Sequence, residues 1–230
     1  MTPLSYIKFT PWDSVAFGVP TWELLEYSKE ALQQTILSPG HYTIKVDPLA
    51  DKRLLHEYGF YYCDTLIQPY CIAGRLNKIL HPDAVISKKV GVEEAMAICQ
   101  GGFTHGRFHR DFNLLRAAAD LRYDSWLKQL LEAQQVYGLY WQGELAGFIG
   151  FNDNSLVLHA VAEKYRGKGL SKYWWSAVCN EIFAKGYDEV RSSISVTNLP
   201  ALNLYSSLGF SFGSAQDIYH GLVSELEEVL

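Results

Sequence analysis

Val161-Ala162-Glu163-Lys164-Tyr165-Arg166-Gly167-Lys168-Gly169-Leu170-Ser171 separates two stretches of different period. Before it, Ser155 to Val161 alternates as a strand does. After it, Leu170, Tyr173, Trp174, Ala177, Val178 and Ile182 recur at helical spacing, and Gly186 stands just past the end as a stop. Glycines in such a turn permit tight backbone conformations and leave N–H groups uncovered by side chains. At a helix N-terminus those donors, the dipole and nearby cations make a diphosphate site. Lys164, Arg166, Lys168 and Lys172 supply the cations. The competing reading is a solvated basic turn that only caps a helix. A P-loop is excluded because no Gly-x4-Gly-Lys-Ser/Thr spacing occurs. A dinucleotide fingerprint fails too, since Lys172 stands where its third glycine belongs.

Outward from the turn, Val136 to Trp141 and Glu144 to Phe151 flank Gln142-Gly143 as a hairpin, and Asn152-Asp153-Asn154 turns the chain into the Ser155 strand. Downstream, Glu189 to Val196 reads as a strand and Ala201 to Leu208 as a short helix ended by Gly209. Strand, glycine loop, helix and strand favour a right-handed crossover in a mixed sheet. Upstream, Val92 to Gln100 and about Asn113 to Ala133 read as helices, the second amphipathic through Leu115, Ala118, Leu121, Leu127, Leu130 and Leu131. Pro82-Asp83, after the polar Arg75-Leu76-Asn77-Lys78, is the expected domain boundary, giving domains 1–82 and 83–230. The chain also echoes itself. Ile44-Lys45-Val46 precedes Leu54-Leu55-His56-Glu57-Tyr58-Gly59-Phe60 as Ile194-Ser195-Val196 precedes Leu204-Tyr205-Ser206-Ser207-Leu208-Gly209-Phe210, at an offset of 150 positions.

Composition bounds the rest. Hydrophobic residues at 48% supply a core and exclude a disordered chain. A net charge of -5 opposes non-specific binding to nucleic acid or anionic membrane. Cys63, Cys71, Cys99 and Cys179 show neither CxxC pairing nor metal spacing, which fits reduced core thiols. No secretory leader follows Met1 and no apolar run could span a bilayer, so the expected location is cytoplasmic.

Two motifs carry a family resemblance. Arg166-Gly167-Lys168-Gly169-Leu170-Ser171 resembles the Arg-x-x-Gly-x-Gly/Ala loop that binds the coenzyme A pyrophosphate in the GNAT acyltransferase superfamily, with Ser171 in place of Gly or Ala. Asn198 to Phe210 resembles that superfamily's Asn-x-x-Ala-x-x-x-Tyr-x-x-x-Gly-Phe at every specified position. The resemblance implies a GNAT-type α/β fold, a mixed, mostly antiparallel central sheet flanked by helices. The smaller N-terminal α/β domain would then be a degenerate half-GNAT. It further implies acetyl-CoA as acyl donor, bound by Val161, Arg166, Gly167, Lys168, Gly169, Leu170, Ser171 and Asn198, with Tyr205 as general acid. A phenol stays protonated at neutral pH and can donate to a departing thiolate. The plain alternative is that Tyr205 only packs its ring. The echo carries Leu55 and Pro48 at the Tyr205 and Asn198 positions, so no second active site is expected there.

Trp12 to Val19 and Phe103 to Phe108 are similar to segments of the dTDP-fucosamine acetyltransferase family, two-domain GNAT enzymes. That similarity implies N-acetylation of a nucleotide-linked amino sugar during surface-polysaccharide assembly. His105, Arg107 and His109, with Arg110 and Asp111, could bind its diphosphate and amine, or could form an exposed turn. His159, on the strand entering the loop, could take the ammonium proton, or could be a core histidine. His105 and His109 lack a third ligand, so no metal is expected. No Gly-x-Ser-x-Gly elbow or hydrolase carboxylate pair occurs. Alternative readings are a GNAT acting on a peptide or natural-product amine, and a non-catalytic acyl-CoA-binding protein. The expected partner is a small-molecule amine, such as a dTDP-amino sugar, with monomer and homodimer both open.

Overall fold

The chain is a computed structural model that describes residues 6–103 and 106–223. In chain order the strands and helices are β1 (Ile7–Phe9), α1 (Pro11–Phe17), β2 (Thr21–Leu24), α2 (Lys29–Thr35), β3 (Gly40–Val46), α3 (Arg53–Glu57) and β4 (Tyr61–Ile72). Next come β5 (Ala84–Ser87), α4 (Val92–Cys99), α5 (Arg116–Glu132), β6 (Val136–Trp141), β7 (Glu144–Asn152) and β8 (Ser155–Val161). The last are α6 (Ser171–Ala184), β9 (Glu189–Ser192), β10 (Ile194–Ser195), α7 (Leu199–Ser207) and β11 (Ser211–Val223). The fold is mixed α/β with mostly antiparallel pairing, as the sequence led us to expect. Strand β2 pairs parallel with β3, and β8 with β9. No helix among the described residues is long and apolar enough to cross a membrane.

Two compact units divide the chain, and the division is not at 82/83. One unit comprises 1–66, 105–122 and 215–230, and the other 67–104 and 123–214. The polar stretch before the expected boundary is built into the second unit. Ala73 N–H donates to Asp188 C=O, Asn77 N–H to Leu208 C=O and Ile79 N–H to the Ser176 hydroxyl. Buried backbone donors must find partners, and these amides find theirs inside the unit. Pro82-Asp83 is a turn that opens β5. The chain changes unit four times: within β4, at 104/105, within α5 at 122/123 and within β11.

In the first unit β11 pairs antiparallel with β3 from Asp217↔Val46 to Val223↔Gly40, and β3 runs parallel to β2. Its core holds Leu32, Tyr42, Ile44, Leu55 and Phe60, all essentially inaccessible. In the second unit the strand order from β9 is β9-β8-β7-β6-β5. The hairpin turn carries Gln142 and Gly143 at φ 51° and 87°, the left-handed pair that a two-residue loop requires. Helix α6 buries Trp174, Trp175, Val178, Cys179 and Ile182. Each such side chain contributes roughly 2–3 kcal/mol by leaving water, so α6 is held by its face rather than by its caps. Helix α5 starts later than its apolar period suggested. Leu115 and Leu121 are exposed, while Ala119, Leu127 and Leu130 are the buried residues.

The echo has a structural counterpart within each unit. Gly59 and Gly209 both end a short helix with positive φ, and both helices close with the same hydrogen bond. Phe60 N–H donates to Leu55 C=O as Phe210 N–H donates to Tyr205 C=O. Leu55 and Tyr205, 150 positions apart, are both fully buried.

Candidate active site

Strands β8 and β9 run parallel only briefly. Their register is Ser155↔Arg191 and Leu156↔Ser192, where the Ser192 hydroxyl donates to Leu156 C=O at 2.8 Å. Strand β9 then ends, while β8 continues to Val161 with only β7 paired along it. Ala162 N–H donates to Ala146 C=O at 2.8 Å, on the β7 side. Because peptide groups alternate sides along a strand, those of Val161 and His159 turn the other way, toward the edge that β9 has left. On that edge Val161 C=O accepts from Arg166 Nε at 2.7 Å.

The loop that follows keeps its amides available. Arg166 is extended, and Gly167 and Gly169 are left-handed at φ 72° and 68°. A Cβ at either glycine would meet nothing within 4 Å, so glycine is required there by dihedral and not by crowding. Successive amides in such conformations form an anion-binding concavity. Leu170, the residue capping α6, offers no side-chain oxygen to the first turn; Tyr173 N–H donates to Leu170 C=O at 3.0 Å, and the N–H groups of Ser171 and Lys172 are left for solvent or an anion. Of the four cations, Lys164 is held by Glu144 at 2.5 Å, where the Tyr165 hydroxyl also donates.

At the open edge, β8 and α7 bring together the two residues expected to be catalytic. The Tyr205 hydroxyl lies 3.4 Å from His159 Nε2. Tyr205 is fully buried, and burial raises its phenol well above the ordinary value, with the nearby Ser192 hydroxyl and Trp175 indole opposing the rise. Burial beside Trp175 pushes the His159 imidazole the other way, down to about 4. The ring is therefore neutral at physiological pH and the phenol is protonated. Ser192 went unnoticed in the sequence, because a strand-end serine carries no motif, and the stripe Tyr173-Trp174-Trp175 reads there as helix packing. Asn198 caps α7, its side-chain oxygen accepting from Ala201 N–H at 3.2 Å, which leaves the amide nitrogen to donate elsewhere.

Of the expected acceptor residues, Arg107 and His109 lie in the first unit, as do Arg110 and Asp111. His105 falls outside the described residues. Arg107 lies over the Phe108 ring, 4.6 Å from its centroid. His109 is bonded to Asp120 at 2.9 Å and Arg110 to Asp64 at 2.8 Å. Asp111 is buried between His41 and His220. Most of these side chains are therefore engaged within their own unit. The two segments with the closer family resemblance also meet there, Phe17 against Phe108 with ring centroids 5.0 Å apart.

Residues 105–210 match the profile of the acetyltransferase (GNAT) family. No match was found among curated proteins. A conserved protein of unknown function from Staphylococcus epidermidis superposes with a TM-score of 0.65 at 14% identity, over 97% of this chain and 93% of that one. A GCN5-related N-acetyltransferase from Sphaerobacter thermophilus gives 0.59 at 12% identity, over 85% of this chain and 65% of its own length. A tandem GNAT protein from the clavulanic acid biosynthesis pathway gives 0.57 at 12% identity, over 91% and 77%. The profile spans 106 of the 230 residues, and these structures share the fold.

Proposed function

We propose that the chain is an N-acetyltransferase that moves an acetyl group from acetyl-CoA to a primary amine by direct attack in a ternary complex. The observation that carries this reading is the His159–Tyr205 pair beside a strand edge that leads into an exposed, glycine-built amide loop. The open loop amides, Arg166, Lys168 and the capless start of α6 suit the donor's diphosphate. The outward peptide groups of Val161 and His159 suit its amide-containing arm, and Asn198 can donate from its amide nitrogen. When bound, the donor supplies an activated thioester.

The chain's own residues do the rest. A neutral amine forms the new C–N bond and the C–S bond breaks. The outward N–H of Val161 polarises the carbonyl, and the Tyr205 phenol donates to the departing sulfur. A phenol raised by burial is a weak acid, so it acts chiefly as a hydrogen-bond donor until charge builds on sulfur. His159, with its low basicity, is poorly suited to strip a proton from an ammonium ion; neutral and carrying its proton on Nε2, it would instead donate to the Tyr205 oxygen and leave the single phenol proton for sulfur. The overall exchange is balanced, with one proton lost by the amine and one gained by the thiol.

For the acceptor we infer a nucleotide-linked amino sugar, a dTDP-amino sugar being the first to test. The support is the resemblance in Trp12–Val19 and Phe103–Phe108, whose rings pack together. The test is thiol release from acetyl-CoA over a panel of nucleotide amino sugars, peptide amines and natural-product amines. Turnover with the sugars supports the reading, and turnover only with another class replaces the acceptor. Calorimetric binding of coenzyme A with no thiol release from any amine would leave an acyl-CoA-binding protein instead.

A further inference from the structure

We propose that His41, Asp111 and His220 bind one divalent transition-metal ion of the zinc class, as a structural staple of the first unit. Sequence spacing could not show this set, because its members stand 70 and 109 positions apart. The β pairing brings them together. Strands β3 and β11 place His41 opposite Leu222 and Thr43 opposite His220, so the two histidines are diagonal neighbours on one face. Their ring centroids are 4.8 Å apart. Asp111, on the segment before α5, enters between them. His41 Nε2 lies 2.8 Å and His220 Nδ1 2.7 Å from the same carboxylate oxygen, Oδ2. One ligand atom from each residue lies within 4.8 Å of the others, and all three residues are buried.

Three features favour a metal over a merely hydrogen-bonded carboxylate. The first is convergence: both imidazoles face one oxygen. The other, Oδ1, is held from outside by the Tyr61 hydroxyl at 2.8 Å and Asn113 N–H at 2.9 Å. That is the outer support a monodentate carboxylate ligand needs. The second is charge. The donors to this buried carboxylate are two imidazoles, a phenol and an amide, with no guanidinium or ammonium among them. A dication would balance it. The third is tautomeric freedom. His41 Nδ1 and His220 Nε2 are buried without hydrogen-bond partners, so nothing outside fixes the inner nitrogens as N–H groups. To bind an ion each ring proton must move to that outer nitrogen and leave a lone pair facing the centre; the outer N–H then lacks an acceptor, a cost the metal bonds must exceed. Two imidazoles and a carboxylate suit zinc or cobalt. Ligand atoms about 2 Å from one ion sit about 3.3 Å apart, so the present contacts need to open by roughly half an ångström.

The test uses the full chain, free of any affinity tag, stripped with a chelator and titrated with Co²⁺ and then Zn²⁺. The expected result is one equivalent of Co²⁺ with d–d absorption of nitrogen and oxygen ligands, displaced by Zn²⁺, with a raised Tm. Asp111→Asn and His220→Gln should each weaken binding at least about 100-fold, and Tyr61→Phe about tenfold. Absence of a stoichiometric Co²⁺ spectrum in the unmodified chain overturns the proposal, whatever the variants do. So does binding that survives undiminished in both ligand variants, which would point to another histidine such as His109. Coenzyme A binding and acetyl transfer in the second unit stand or fall separately.

Discussion

Tyr205 and His159 are 46 positions apart, and their pairing fixes what each can do. Replacing Tyr205 by Phe removes the proposed donor to sulfur while keeping the ring that fills the core. We expect kcat to fall roughly 10²–10³-fold, within the range of a lost general acid, with the acetyl-CoA KM nearly unchanged. Steady-state kinetics check this, and a near-normal kcat would remove Tyr205 from the chemistry. The histidine makes a second prediction, on pH. Its folded value is about 4, below the ordinary 6.5, so the ring stays neutral from about pH 5 upward. The ratio of kcat for the unmodified chain to that of His159→Gln should therefore be constant between about pH 5.5 and 7.5. Taking the ratio cancels ionisation of the amine substrate. A ratio that collapses around 6.5 would mean a ring of ordinary basicity. The residue types were legible in the sequence at both positions, because motif spacing marks Tyr205 and the strand end marks His159. Their contact was not, since it depends on how α7 packs against β8.

Glycines show how an element-level reading can be right about place and incomplete about cause. Gly169 and Gly209 both have left-handed φ, 68° and 88°. At Gly169 an added Cβ meets open space, whereas at Gly209 it would run into the Arg75 carbonyl oxygen. Gly169→Ala therefore strains only the exposed loop, and we expect the acetyl-CoA KM to rise roughly tenfold with Tm almost unchanged. Gly209→Ala combines backbone strain with a clash in a packed region and should destabilise the fold by about 2–4 kcal/mol in denaturant titrations. If the two substitutions had equal effects on Tm, the loop would not be the independent element described. The elements nearest the loop were legible: the hairpin, β8, α6 and α7 lie within two or three residues of their expected bounds. Their periods are strong and glycines punctuate them. The N-terminal strands β1 and β2 and the helices α1 and α2 were not foreseen. They are only three to seven residues long, too short for any period to emerge. In α5 the leucine spacing overstated the apolar face, because Leu115 precedes the helix and Leu121 faces outward from it.

For the whole molecule, the sequence suggested a cut at Pro82-Asp83, and the fold argues against cutting there. A fragment of residues 83–230 would keep the loop, Tyr205, His159 and Asn198, yet it would lose residues 67–82 of the second unit. Those residues include the β4 segment that pairs with β9 through Tyr70↔Arg191, Cys71↔Val190 and Ile72↔Glu189. They also include Cys71 and Leu76, which are buried in the same core as Trp174, Val190, Tyr205 and Phe210. Removing them exposes one side of β9 and opens a void beside the helix that carries Tyr205. The lost Cys71 and Leu76 alone amount to about 3–5 kcal/mol, a large share of the stability of a typical domain. The Asn77 bonds to the end of α7, from its N–H to Leu208 C=O at 3.0 Å and from its side chain to Ser207 C=O at 2.9 Å, go as well. We therefore expect residues 83–230 expressed alone to be unfolded or aggregated, with Trp fluorescence like that of the denatured chain and no coenzyme A binding by calorimetry. Polarity at Arg75-Leu76-Asn77-Lys78 is a poor boundary signal, because amides in and beside that stretch, those of Ala73, Asn77 and Ile79, are bonded inside the second unit. A soluble 83–230 fragment that unfolds cooperatively and binds coenzyme A would restore the boundary that composition suggested, and would show residues 67–82 to be dispensable.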